Sequence, residues 1–441
     1  MMLNPLSRKV RMHQDMPIVP GAFPVIGHLP AVVFGAPELL NRAARNLGTH
    51  FWIDFGSPGL ALICTQDDTF ELFKNKDTTS TLWQHFGPGL GTAMLAQDGV
   101  MHKNLRAHAN EPFLPKGLTA SGVGEQFANL ITRKIEKWVD RPDIQVVQEA
   151  SELVISLLFC LMGIKESEEA VWDKKLREYV YTVLVPIRVA GKRVRLESRS
   201  RNWIDSKLRA LVRDARSHPD VIGVLPDIVR AFDNDDALTE DHLIDNLRFV
   251  LPAGHDSTAA TMAQIVLQLA GRPDVWGALC NEALTVGSIP QNPKDLAKFP
   301  YAEAVFRETL RCYPAAPLVL RRVVTDIKLS GKSVAAGSLV AIPILYLSRC
   351  ADLYAQPDEF RPERWLDRTE IIKPIESVQF GSGPHRCLGY HLAWMEIVQF
   401  TVAIALIMGT RRLRPQLLAS RKGGLYFPIA YPSFKTRIVF R

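Results

Sequence analysis

Apolar positions recur every three to four residues along most of this chain, the period of helices with one buried face. Residues 122–217 carry the pattern at length, with one break at 185–191. Residues 243–269 form a second long helical run and 301–312 a shorter one. Another follows Gly389, through Leu392, Met395, Val398, Val402 and Leu406. Helical patches also occupy 37–47 and 68–74. Two-residue alternation is rarer. The runs 50–55 and 60–64, joined by Gly-Ser-Pro-Gly at 56–59, read as a hairpin. Residues 318–329 read as paired strands, and 423–441 as strands including a hairpin. Pro17, Pro20, Pro24 and Pro30 with Gly21 and Gly27 make residues 1–30 an extended lead-in. Residues 78–99 are loop-like and carry Trp83, Phe86 and Leu90. The predicted fold is mainly α with a smaller β-rich region, in a single domain over 1–441.

Composition narrows the chemistry. The chain has 441 residues, 47% hydrophobic and 22% charged, enough for a large core. Its net charge is +7, from 53 basic and 46 acidic residues. No basic run is interleaved with aromatics, so no nucleic-acid partner is expected. Six cysteines stand singly without a Cys-x-x-Cys pair, which argues against a disulfide framework and against a zinc or iron–sulfur site. A reducing, cytoplasmic location is the expectation. The first 15 residues lack the apolar core of a signal peptide. The longest apolar runs, 153–162 and 397–408, fall short of the ~20 residues a span needs, so no membrane anchor is expected.

The chemistry-bearing residues lie in a few stretches. In Phe380-Gly381-Ser382-Gly383-Pro384-His385-Arg386-Cys387-Leu388-Gly389, three glycines surround one cysteine just before a helical run. A cysteine in the first turn of a buried helix suits a thiolate, because backbone N–H groups and the helix dipole favour the ionised sulfur. Gly389 would let that helix pack on a flat object. The run 243–269 holds Ala253-Gly254-His255-Asp256-Ser257-Thr258 at its middle. Glycine there costs about 1 kcal/mol relative to alanine, and the acid and hydroxyls compete for backbone bonds. A helix that accepts this has a ligand against it. His102 and Arg106, four apart, share a helix face ahead of a turn at 113–118, and Glu308 and Arg311, three apart, share another. Arg321, Arg322 and Arg364 lie in the β-rich stretches that follow.

Together these motifs resemble the cytochrome P-450 superfamily, in its soluble bacterial form, over essentially the whole chain. The family holds its haem iron by a cysteine thiolate. The resemblance implies the cytochrome P-450 fold enclosing one haem b (iron protoporphyrin IX), with Cys387 as axial ligand and Phe380 and Gly381 in its loop. It implies that His102, Arg106, Arg321 and His385 bind the haem propionates, with Arg322 the alternative to Arg321. Ala253 and Gly254 would line the groove above the haem. Asp256 and Ser257 would relay protons for O–O cleavage. The family's usual residue after the acid is threonine, so Thr258 stays open as the relay hydroxyl. Phe86, Ala316, Leu318 and Val319 would contact substrate. Glu308, Arg311 and Arg364 would form a buried structural network.

The implied activity is a monooxygenase of secondary metabolism, inserting one atom of O2 into an apolar small molecule by hydroxylation or epoxidation. Electrons would come from a separate ferredoxin or flavodoxin and its NAD(P)H reductase. A peroxide-using or redox-neutral haem-thiolate enzyme is the alternative, and a haem sensor or carrier the non-enzymatic one. The basic stretch Arg188, Lys192, Arg193, Arg195, Arg199 and Arg201 is either a solvated helix end or a rim for a carboxylate or carrier-protein-bound substrate.

Overall fold

The computed structural model describes residues 15–24, 27–28, 39–40, 42–54, 60–63, 65–80, 90–184, 188–189, 192–193, 199–366, 378–419, 424–426 and 429–441. At 62, 181–184, 188–189, 192–193 and 424–426 the backbone alone is described. The expected hairpin turn at 56–59, Cys64, Trp83, Phe86 and Arg195 lie outside these residues.

Helices follow the periodicity closely. α1 (Gln66–Lys74) starts at Thr65, whose side chain accepts from Asp68 N–H. α2 (Gly99–Asn110) carries His102 and Arg106. The turn expected at 113–118 is helical from α3 (Pro115–Ala120), because proline suits the first helical position. The long run resolves into α4 (Val123–Glu136), α5 (Val146–Leu161), α6 (Glu169–Leu184) and α7 (Arg199–Ser217). Between α6 and α7, β5 (Arg188–Val189) pairs with β6 (Lys192–Arg193). α8 (Val224–Asp233) leads to α9 (Glu240–Ala270), which opens with a Thr239/His242 capping box. α10 (Pro273–Val286), α11 (Pro300–Cys312), α12 (Ile344–Leu347) and α13 (Tyr390–Thr410) complete the set.

α9 and α13 form the centre. α9 packs on α5 and on α13, and α13 also packs on α4 and α10. One apolar cluster joins residues from Leu90 to Phe440 through these helices. Among the described residues, α13 is the one helix long and apolar enough to cross a membrane, and 78% of its apolar window is buried inside the protein. It is a core helix.

The β-rich part is a five-stranded sheet, β1 (His50–Ile53), β2 (Leu60–Ile63), β10 (Leu339–Ile342), β7 (Val319–Val323) and β3 (Thr78–Thr79), in that spatial order. The first hairpin has His50 opposite Ile63. The strands read at 318–329 do not pair with each other. β7 pairs with β10, while β8 (Ile327–Leu329) pairs with β9 (Lys332–Val334) in a separate ribbon. The reason is the Ser330-Gly331 turn, with φ of 44° and 79°, which folds β8 onto the strand after it. At the C-terminus β14 (Arg437–Phe440) joins β11 (Pro415–Ala419) and β4 (Ile144–Gln145), and β12 (Gly424–Tyr426) pairs with β13 (Ile429–Tyr431).

One ionic knot joins α11 to the loop before the cysteine. Glu308 and Arg311 are both fully buried and bonded through both oxygens, at 2.9 and 2.8 Å. Glu308 also accepts from Arg364 Nε, Trp365 Nε1 and Arg361 N–H. Arg311 donates onward to the carbonyls of Ser348, Pro357 and Glu359. Removing Arg311 would leave a carboxylate buried among groups that need it charged. Arg311→Met is expected to cost about 3–5 kcal/mol in denaturant unfolding. Arg364→Ala should cost clearly less, because Arg364 keeps some solvent contact. Equal losses would contradict this ranking.

Candidate active site

The cysteine loop is held from both ends. Cys387 N–H donates to Phe380 O at 2.8 Å, and Gly381 N–H to Val378 O at 2.9 Å. Gly383, at φ 65°, presses on α1: a Cβ there would lie 2.5 Å from Phe73 O. Behind the loop, Phe380 packs edge-on to Tyr390 at 4.8 Å, and the Arg386 guanidinium lies 4.2 Å over the Tyr390 ring. α13 begins at Tyr390, so Cys387 precedes its first turn instead of sitting in it, contrary to expectation. The Gly389 N–H, Arg106 and Arg386 favour the ionised sulfur, but burial outweighs them and pushes the thiol pKa up. The loop alone therefore holds a thiol. A cation on the sulfur is needed to ionise it.

Cys387 is nonetheless exposed by accessible surface. Surface that is open yet walled by protein faces an internal hollow. Gly389 agrees, since a Cβ there would meet nothing within 4 Å. Ala253, mid-way along α9, is likewise exposed. Thr258 of α9 bonds Glu396 of α13, whose carboxyl is near enough to Cys387 to couple with it, so α9 borders the same region. Gly254 also packs closely on α5, where a Cβ would come within 2.9 Å of Leu158 Cδ2.

Basic side chains gather on one side. His102 and Arg321 are buried. Arg321 makes a 3.5 Å bond to Leu320 O, and among the described residues no carboxylate pairs with it. Burial, then the His385, Arg106 and Arg321 charges, bring the His102 pKa down to about 4, against the pull of Asp98. His102 and His385 rings lie 4.0 Å apart. Two expected residues have other partners here. Arg106 donates to Arg386 O at 2.7 Å and Cys387 O at 3.4 Å. His385 Nε2 meets Asp98 Oδ1 and Ser80 Oγ, each at 2.8 Å. Asp98 and Ser80 were missed by sequence reasoning, for no spacing rule links them to residue 385. Burial would raise the Asp98 carboxyl, but bonds from His385, Thr79 and Ser80 hold it well below the usual range. Arg322, half-buried, has a buried Nε without a partner.

The middle of α9 separates its two hydroxyls. Ser257 is half-buried and its Oγ donates to Ala253 O at 3.3 Å. Thr258 is buried and turns the other way, donating to Glu396 Oε1 at 3.2 Å. Pro252 lies inside the helix one turn before Asp256, so the Arg248 carbonyl loses its usual donor there. Asp256 is half-buried and accepts from Tyr431 Oη at 2.9 Å. Ala316, Leu318 and Val319 are half-buried ahead of and at the start of β7. Leu318 and Val319 pack on the apolar clusters of the sheet.

Comparison with known proteins decides what this arrangement is. The Cytochrome P-450 family model matches residues 17–406. The chain belongs to the cytochrome P-450 family. Cytochrome P-450 BJ-4 of Bradyrhizobium diazoefficiens is 45% identical over 444 residues, covering 100% of this chain and 99% of the relative. Among solved structures, retinoic acid bound cyanobacterial CYP120A1 superposes with a TM-score of 0.81 at 21% identity, covering 97% of this chain and 99% of that one. P-450 BioI in complex with hexadec-9Z-enoic acid ligated acyl carrier protein gives 0.72 at 18% identity, covering 92% and 98%. The protein is thus a haem monooxygenase that uses O2 and redox partners. Its residues fit a haem: a walled sulfur that a cation would ionise, open space at Gly389, and a buried guanidinium that no carboxylate pairs with among the described residues.

Glu396 gives a measurable consequence. Burial pushes its pKa from 4.5 to about 8 against the Thr258 bond, and its Oε2 is buried without a partner. The folded state keeps this proton longer than the unfolded chain does. Its stabilising effect is full below about 4.5 and is lost as pH rises through about 8. Glu396→Gln removes that dependence. The thermal midpoint of the wild type should fall relative to Glu396→Gln across this window, and a constant difference would refute the neutral acid.

Proposed function

We propose that Cys387 is the axial ligand of haem b and that the chain, as one domain, oxygenates an apolar small molecule by hydroxylation or epoxidation in secondary metabolism. The haem, when bound, supplies O2 activation, favoured by the electron density of the thiolate. The protein's residues orient, exclude water and move protons. Arg321 and His102 offer donors to the propionates, and His385 can add its Nδ1. Arg106 braces the cysteine loop through its carbonyls and keeps further N–H groups for a carboxylate. Asp256 and Ser257 hand protons into the groove beside Ala253. The observation that carries this assignment is the opposite orientation of the two hydroxyls: Thr258 is occupied by Glu396, while Ser257 stays on the half-open side. An acid–hydroxyl pair there also disfavours a peroxide-only or redox-neutral enzyme.

Electrons would arrive from a ferredoxin or flavodoxin with its NAD(P)H reductase, in the cytoplasm. A depression of about 740 Å³ beside the cysteine loop supports an acidic partner, being lined by Lys116, Lys294, Arg307, Tyr390, His391 and Trp394. The substrate is free or carrier-tethered. The basic stretch 188–201, if it is more than a solvated helix end, and the acyl carrier protein bound to the BioI enzyme of the same fold support the tethered form.

Cys387→Ala should abolish the red-shifted Soret band of the reduced carbon monoxide complex, and a surviving band would overturn the ligand assignment. Ser257→Ala should lower product formed per NAD(P)H consumed, because the groove loses a hydroxyl that hands on protons. Thr258→Ala should leave that ratio nearly unchanged. The reverse pattern would move the relay to Thr258.

A further inference from the structure

Groups outside the relay as described converge on Asp256. His255, its neighbour on α9, is buried. Its Nδ1 lies 2.9 Å from Asp256 Oδ1, and its Nε2 lies 2.9 Å from Ser151 Oγ on α5. From β13, the Tyr431 hydroxyl donates to that same Oδ1 at 2.9 Å. Among the described residues, no bond reaches Oδ2.

We propose that Tyr431 is a positioning residue for proton delivery: with His255 it anchors Oδ1 of Asp256, leaves Oδ2 as the working oxygen, and ties the acid to the C-terminal hairpin. This inference rests on Asp256 being the relay acid. Two donors on one oxygen fix the rotation of the carboxylate plane, which a single donor would leave free. The imidazole satisfies its neighbours in either charge state. As a neutral ring it donates from Nδ1 to Asp256 and accepts from the Ser151 hydroxyl at Nε2. As a cation it donates from both nitrogens, with Ser151 O also within 3.2 Å.

The hairpin gives this anchor a second end. β12 and β13 form a two-stranded ribbon, a unit of marginal stability by itself. It takes its position from its contacts. One is Tyr431 on Asp256. Another is Ala430 N–H donating to Ala315 O at 2.8 Å, next to Ala316 on the expected substrate wall. A substrate that moves this wall moves Tyr431, and with it the acid.

Electrostatics are consistent. The titratable or charged groups acting on Asp256 are His255 from α9, Tyr431 from β13 and Arg177 from α6, while α5 contributes the uncharged Ser151 through His255. Burial would raise the Asp256 carboxyl, but the His255 bond and charge, the Tyr431 bond and Arg177 outweigh it and hold it below the usual range. Burial and the Asp256 charge raise the Tyr431 pKa, so its hydroxyl stays protonated and donating.

The test uses the haem-loaded full chain at neutral pH. The C–O stretch of the ferrous carbon monoxide complex should be a single sharp band in the wild type. In Tyr431→Phe it should shift or split as the carboxylate turns. Product per NAD(P)H should fall roughly three- to tenfold, the scale of one typical hydrogen bond. His255→Gln, which alters the other donor to Oδ1, should act in the same direction and serves if the first variant does not fold. In an Asp256→Asn background, Tyr431→Phe should change neither readout further. A Tyr431→Phe protein with the wild-type band and ratio, beside an Asp256→Asn protein with a lowered ratio, overturns the positioning role alone. An unchanged ratio in Asp256→Asn overturns the relay acid and this inference together.

Discussion

A sulfur walled by protein, yet open to a hollow, is the constraint on which the rest of this structure depends. The Gly389 N–H and two guanidiniums pull the Cys387 thiol toward ionisation, and burial defeats them. Such a sulfur becomes a thiolate when a metal cation replaces its proton. The fold then has to supply what a metal-bearing, dicarboxylate cofactor needs: a rigid loop, an unpaired buried cation and a dry opposite face. Gly383 against Phe73, Arg321 with no carboxylate pairing among the described residues and Ala253 on the open side of α9 meet those needs.

α9 has two jobs, and adjacent residues divide them. Thr258 and Glu396 join α9 to α13 through an acid that stays neutral near neutral pH, so this contact avoids a buried unpaired charge. Ser257 and Asp256 lie on the half-open side, where Pro252 has already disturbed the backbone ladder. A helix turns about 100° per residue, so three successive side chains cannot all face the groove, and Thr258 is the one turned away. On this account the acid is steered from the C-terminal hairpin, and proton supply depends on elements that touch substrate.

Much of this was legible in residue patterns. The helix runs, the first hairpin, the cysteine loop and the Glu308–Arg311–Arg364 knot all depend on local spacing, and local spacing survives folding. What was illegible joins distant segments. His385 with Asp98 spans 287 positions, and Tyr431 with Asp256 spans 175. No periodicity encodes such pairs. Gly254 carries a second constraint of this kind: a Cβ there would meet Leu158 Cδ2 on α5. The stretch 318–329 misled because alternation predicts strands without naming their partners, and the Ser330-Gly331 turn assigned β8 to the strand after it.

The most direct measurement of the central claim is the iron–sulfur stretching band of the ferric, haem-loaded protein by resonance Raman, with natural and heavy-isotope cysteine sulfur. A thiolate from Cys387 predicts an isotope-shifted band in the wild type that disappears in Cys387→Ser. A spectrum insensitive to the sulfur isotope would contradict the account, because the hollow would then hold its iron by another residue.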